Sequence, residues 1–171
     1  LWDVPPVSLA QPQRFLLDEF QDTRFRSGHN ITHTVFMECH SMYRATGPDE
    51  LKPIGETEFA NGVAAQSADS ACKVAHRIVG TADLSLGARV KPVLEAHLAV
   101  AGERFRGVRM STTFSEAELF GRASNPSRRH LLFNANFRDG ARALQELDLS
   151  LDVWCLHTQL EELCALADAL P

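Results

Sequence analysis

The stretch Leu149–Leu160, LSLDVWCLHTQL, decides how the rest of the chain is read. Its apolar opening, Leu149 to Leu156, is too short for a helix. The β-branched and aromatic residues within it suit a strand buried on both faces. Directly afterwards Leu160, Leu163, Ala167 and Leu170 recur at helical spacing, so a helix follows with almost no loop. A buried strand, a polar cluster (His157, Thr158, Gln159) and an immediate helix make half of a βαβ unit. In parallel α/β folds the carboxyl ends of the strands carry the chemistry. His157 sits at such an end, which makes it a candidate site residue. Its ordinary alternative is a histidine that caps the strand or is hydrogen-bonded in a turn.

The preceding chain repeats this rhythm. Residues 1 to 14 hold several prolines and read as an irregular lead-in, followed by a short helix over Phe15 to Phe20. Ser27-Gly28-His29-Asn30 is a turn. Ile31 to Cys39 alternates in the manner of a strand and ends at Glu38. His40 to Ile54 is a long loop, and loops of that length in compact domains are functional or mobile. A helix is expected over Glu56 to Ser67, weakened by Gly62, and a strand over Arg77 to Ala82. Gly87 to Gly102 carries the apolar stripe Val90, Val93, Leu94, Leu98 and Ala101, with Pro92 near its start and Gly102 just past its end. Phe105 to Met110 is a short strand. Ser111 to Arg129 has no clear period, and Asp139 can cap a helix that carries Leu144 and Leu147.

Alternation of strand and helix implies a parallel sheet with right-handed crossovers. Two architectures fit: a small doubly wound sheet, or part of a (β/α)8 barrel. Neither G-x-G-x-x-G nor G-x-x-x-x-G-K-[ST] occurs, so a nucleotide-binding sheet lacks motif support. Glu38, Asp83, Arg109 and His157 each lie at or just past the carboxyl end of a different expected strand. On a curved sheet they would share one mouth. The ordinary role for Glu38 and Asp83 is to cap the next helix. Phe105, Gly107 and Arg109 are expected on one face, with the glycine leaving room beside the guanidinium. An arginine in a concave site is a planar carboxylate clamp.

Other polar residues carry weaker signals. His29 and His33 look like a metal pair, but at about 3.3 Å per residue along a strand they stand about 13 Å apart. That is too far to share a zinc about 2.1 Å from each nitrogen. His97 and His76 read as structural, and His40 can join Glu38 at the mouth. No serine has a nucleophile-elbow context and no Cys/His pair has a recognisable signature.

Composition sets the frame. The chain has 171 residues, 44% hydrophobic and 23% charged, enough for one well-buried core and a single domain over 1–171. A net charge of -5 and a pI near 5.8 argue against a nucleic-acid partner. No apolar run reaches membrane-spanning length, and the first residues lack the basic start and apolar block of a signal peptide. The four cysteines are widely spaced with no C-x-x-C and read as buried, reduced thiols in a cytoplasmic protein.

Five blocks carry a family resemblance: SGHNITHTVFMEC (27–39), GETEFANGVAAQSA (55–68), RIVGTADLSLGARVKPVLEAH (77–97), RFRGVRMS (104–111) and LSLDVWCLHTQLEELCALADALP (149–171). In this order they resemble the amidohydrolase-2 group of the amidohydrolase superfamily, TIM-barrel metal-dependent hydrolases. That group includes sugar lactonases and lactonases of aromatic-acid breakdown. The resemblance implies a partial TIM (β/α)8 barrel in which the visible strands are the second to the fifth. It places His157 as the fifth-strand residue that binds metal and serves catalysis. Arg109 becomes the fourth-strand catalytic and substrate-binding arginine. Glu38, from its place at a strand end, is expected as a further substrate contact.

By the same resemblance the protein is a hydrolase in which activated water attacks a lactone or related acyl substrate. A divalent metal, zinc by preference, polarises the carbonyl. The partner is a small-molecule substrate, with no nucleic acid and no membrane, and homo-oligomerisation stays open. The family's first-strand H-x-H pair, sixth-strand histidine and last-strand aspartate are missing. A whole barrel needs about 250 residues. The expectation is therefore an internal fragment, itself inactive. The competing class is a non-catalytic α/β binding or scaffold domain whose strand-end charges are caps and ion pairs.

Overall fold

The computed structural model describes residues 14–118 and 123–170. The chain falls into two compact units, residues 1–32 and 33–171. In the first, helix α1 (Leu17–Arg26) runs further than the FLLDEF pattern suggests. Glu19 accepts from the Leu16 N–H at 2.8 Å, and Arg26 pairs with Asp22 one turn back at 2.9 Å. Such local i,i+3 and i,i+4 bonds extend a helix without an apolar stripe. The irregular lead-in expected over residues 1–14 lies, up to residue 13, outside the described residues.

The second unit is a four-stranded sheet flanked by helices. Its strands are β1 (His33–Met37), β2 (Lys73–Gly80), β3 (Phe105–Ser111) and β4 (Ser150–Trp154). All neighbouring pairs are parallel and the order is β1-β2-β3-β4. The connecting helices are α2 (Ile54–Gln66), α3 (Lys91–Ala101) and α4 (Ala135–Glu146), with α5 (Leu160–Ala169) after β4. Sequential parallel order on a curled sheet is a partial TIM barrel, and the doubly wound alternative falls. The core lies between sheet and helices, with Ile78, Leu94, Phe105, Val108, Phe137, Leu144 and Leu166 buried together.

Several details correct the sequence expectations. β4 is not buried on both faces. Ser150, Asp152 and Trp154 are exposed, while Leu151 and Val153 face the apolar residues of α4 and α5. As the last strand in the order, β4 is flanked on one side only. Phe105 does not share a face with Arg109. A register irregularity where Ile78 meets Phe105 and Val79 meets Gly107 turns the Phe105 ring towards the helices, where it stacks on His97. Gly107 leaves no room beside the guanidinium either. A Cβ there would lie 2.2 Å from Ser150 Oγ and 2.3 Å from Ser150 O, so the glycine serves the close approach of β3 and β4.

The helix expected from Gly87 begins at Lys91. Asp83 caps the preceding 3-10 segment by accepting from the Ser85 N–H at 3.0 Å, and Gly87 adopts a positive φ of 63° that breaks the helical path. The cap of α4 is Asn134, whose Oδ1 accepts from Phe137 N–H at 3.2 Å. Asp139 lies inside that helix, paired with Arg142. Among the four free cysteines only Cys72 is fully buried; Cys39 and Cys164 are exposed. No helix among the described residues is long and apolar enough to cross a membrane.

His97 is structural, as expected. Its Nδ1 meets Thr57 Oγ1 at 2.8 Å, its Nε2 meets the Thr81 carbonyl at 3.2 Å, and its ring lies 4.7 Å from that of Phe105. Burial pushes its pKa from 6.5 down to about 4, so it folds neutral. Between those two values the unfolded chain binds a proton that the fold refuses. The stability this neutral ring contributes is whole above pH 6.5, declines as pH falls towards about 4, and levels below it. The expected total loss is about 3 kcal/mol. Urea midpoints measured across this range should show the decline in the natural protein and lose it in His97→Gln. An equal decline in the variant would assign the acid sensitivity elsewhere.

Candidate functional site

Three strand ends are knotted together at the carboxyl edge of the sheet. Glu38, one residue past β1, continues the ladder by donating its N–H to the Val79 carbonyl at 2.9 Å. Its side chain, 6% exposed, turns to β3, where Oε1 accepts from Arg109 Nε at 2.9 Å. Arg109 Nη2 donates to the Glu38 carbonyl as well. The guanidinium therefore reaches across β2 to the end of β1. Thr81, just past β2, donates its hydroxyl to the Arg109 carbonyl at 2.9 Å. The Trp154 ring of β4 lies 5.8 Å from the Arg109 guanidinium carbon, within cation–π range.

Two cavities open at this edge, of about 420 and about 720 Å3. Both are bordered by Glu38, His40, Arg109, Ser111 and Arg128. The smaller also touches Tyr43, Asp49 and Asp83; the larger touches Trp154 and Leu156. A concave site with a few convergent polar groups at strand carboxyl ends is the standard setting for a small ligand.

The loop after β1 is held from beneath. Glu56, fully buried in the first turn of α2, accepts at Oε1 from the N–H of Cys39 (2.9 Å) and of Ser41 (3.1 Å). Burial, with Glu56 and Glu38 adding to it, pushes the Tyr43 hydroxyl up to about 12, so it stays protonated. Partial desolvation of the otherwise exposed Cys39 likewise raises its thiol, with Glu56 beside it, which makes it a poor nucleophile.

The structure thus brings Glu38 and Arg109 into direct contact and adds His40, whose Nδ1 lies 3.4 Å from Glu38 Oε2. Asp83 borders the smaller cavity but works as a cap. His157 opens the turn between β4 and α5, is exposed, and borders neither cavity. In that turn the buried residue is Gln159. It accepts from the Phe114 N–H at 3.0 Å and donates to the Thr112 carbonyl at 2.8 Å. Tyr43, Glu56 and Trp154 were not singled out as site residues from the sequence. Trp154 alone carried a signal, two residues past Asp152, the cross-strand partner of Arg109.

A metal does not fit these residues alone. Among the described residues no three of His, Cys, Asp and Glu come together to hold one. The carboxylate at the mouth already faces a fixed cation, the Arg109 guanidinium. His157 stands apart as a single donor.

Comparison with known proteins places the chain. Residues 6–171 match the family model described as "Amidohydrolase". No protein of curated function matches. Among solved structures, an amidohydrolase of the COG3618 group from Burkholderia multivorans, crystallised with bound HEPES, is similar at a TM-score of 0.55 and 20% identity. The match covers 92% of this chain and 44% of that one, so the chain spans less than half the length of that structure.

Proposed function

Because this chain belongs to the amidohydrolase family, we propose that the full-length protein is a hydrolase that opens a lactone or cleaves a related acyl bond. Water attacks the acyl carbon at the carboxyl-end mouth, the carbon–oxygen bond to the leaving oxygen breaks, and a hydroxy acid results. The observation that carries this reading is the Glu38–Arg109 pair, fixed at the edge of two cavities that share it. Glu38 occupies Nε and Nη2 of Arg109. The guanidinium is thereby oriented with Nη1 left to meet a developing oxyanion or a substrate carboxylate. Trp154 supplies a flat apolar wall for the substrate body. The reading carries a cytoplasmic location. A divalent metal, zinc by the affinity of imidazole, would need donors beyond His157.

Arg109→Lys keeps a cation against Glu38 and loses the planar fork. Its expected effect is a fall in kcat/KM for lactone hydrolysis of about 100-fold, which corresponds to about 2.7 kcal/mol. A panel of aliphatic, sugar-derived and aromatic lactones assayed with the full-length protein makes the test. Hydrolysis of none of them defeats the proposal. Normal kinetics in the variant remove Arg109 from the site.

A further inference from the structure

We infer that His40 is the acid–base residue of this mouth, with Glu38 as the positioning residue that sets its tautomer. That role takes its reaction from the hydrolase activity proposed for the full-length protein, and its residue from geometry. The loop bearing His40 is tightly built. Besides the two N–H groups already described, Glu56 Oε1 accepts from Ser41 Oγ at 3.2 Å and from Cys39 Sγ at 3.2 Å. A Cβ on Gly55 would lie 2.4 Å from the Met42 carbonyl, so the loop lies hard against the start of α2. Within it His40 has a φ of 59° and Met42 one of 54°, both in the left-handed region. Non-glycine residues hold that conformation where surrounding contacts impose it, and such positions cluster at functional sites.

The imposed conformation sets the His40 ring between a buried carboxylate and a hydroxyl. Nδ1 lies 3.4 Å from Glu38 Oε2 and 2.9 Å from Tyr43 Oη. Glu38 Oε2 is buried and has no hydrogen bond among the described residues. A buried carboxylate oxygen without a donor is costly, and the donor in reach is an Nδ1–H. A lone pair on Nδ1 could accept from the Tyr43 hydroxyl at 2.9 Å but would leave Glu38 Oε2 without a donor, whereas an Nδ1–H serves both oxygens. In ligand-free enzymes such contacts are often long and tighten when substrate binds. With the proton on Nδ1, Nε2 keeps its lone pair on a ring 71% exposed that borders both cavities. This is the arrangement of a base oriented by a third group.

In the reaction, Nε2 takes a proton from water as the water oxygen bonds to the acyl carbon. The bond from that carbon to the leaving oxygen breaks, and the imidazolium returns the proton to it. One water is consumed and no other reactant is needed. Charged groups that share the cavities and influence the ring are Asp49, Glu50, Asp83, Arg109 and Arg128, besides Glu38 and Tyr43 in contact with it.

The test uses the full-length protein with δ-valerolactone and p-nitrophenyl acetate. His40→Ala should lower kcat by about 100- to 10,000-fold with a smaller change in KM, the span of general acid–base catalysis. Added imidazole should restore part of that activity, which a purely structural role would not allow. Glu38→Gln should lower kcat and shift the acid limb of the pH profile. Nitrogen-15 NMR of the ring should show the Nδ1–H tautomer. A kcat in His40→Ala within about three-fold of the natural protein, or a loss that imidazole does not recover, overturns the assignment. If the natural protein hydrolyses neither probe, the hydrolase proposal fails by itself. The tautomer then decides the geometry, because an Nε2–H ring overturns the orientation by Glu38 whatever the activity.

Discussion

Phe105→Ala is expected to lower the stability of the 33–171 unit by about 3–5 kcal/mol, the usual range for an aromatic ring deleted from a closed core. The ring is fully buried at the start of β3 and lies nearly parallel to His97, with 5° between the planes. It also fills the space that Gly80 leaves, where a Cβ would lie 3.0 Å from its edge. Removing it opens a void between β2, β3 and α3 that backbone hydrogen bonds keep from collapsing. It also strips the apolar cover from a histidine that folds neutral. Urea denaturation followed by tryptophan fluorescence measures the loss, and Phe105→Leu should lose less. A change under about 1 kcal/mol for the alanine variant would mean that the ring is not enclosed.

Glu38→Ala is the second large effect. The variant leaves the Arg109 guanidinium, 23% exposed, facing a carboxylate-shaped gap. Breaking a buried pair from one side costs about 3–5 kcal/mol, and the partial exposure of Arg109 places this case near 3. Glu38→Gln retains an acceptor for Nε and should lose about half as much. The double variant Glu38→Ala/Arg109→Ala should be more stable than the sum of the single changes predicts, because it removes the stranded charge. Denaturant midpoints of the three variants give the coupling. Additive losses would show that the two side chains do not stabilise each other, and the fixed guanidinium would lose its support.

Much of the architecture was legible because one signal repeats. A short apolar run followed by a helical stripe recurs around Arg77, Phe105 and Leu149, and these three runs became β2, β3 and β4. Where reading failed, contacts distant in sequence decided. β2 begins four residues before Arg77 because Thr34 Oγ1 accepts from the Ala75 N–H at 2.9 Å and draws a polar segment into the sheet. Asn134 rather than Asp139 caps α4, a choice linked to the close approach of the helix to the 84–90 segment. A Cβ on Gly140 would lie 2.3 Å from the Leu84 carbonyl.

The mouth was legible in outline only. Glu38 and Arg109 stand out by position at strand ends, yet their direct pairing spans 71 residues and leaves no local trace. Glu56 entered only as the start of an expected helix, and only the folded loop shows that it gathers Cys39 and Ser41. His157 drew attention through its place after the most apolar strand. In the structure the chain turns outward at that point, and Trp154 meets the cavity instead.

The most direct measurement is a crystal structure of the full-length protein with the hydroxy acid released from its best lactone substrate. The product carboxylate should lie within hydrogen-bonding distance of Arg109 Nη1, its body against Trp154, with His40 Nε2 facing the carboxyl carbon. The Glu38–Arg109 pair should remain intact. Product bound away from these residues, or an Arg109 released from Glu38 and turned from the cavity, would contradict it.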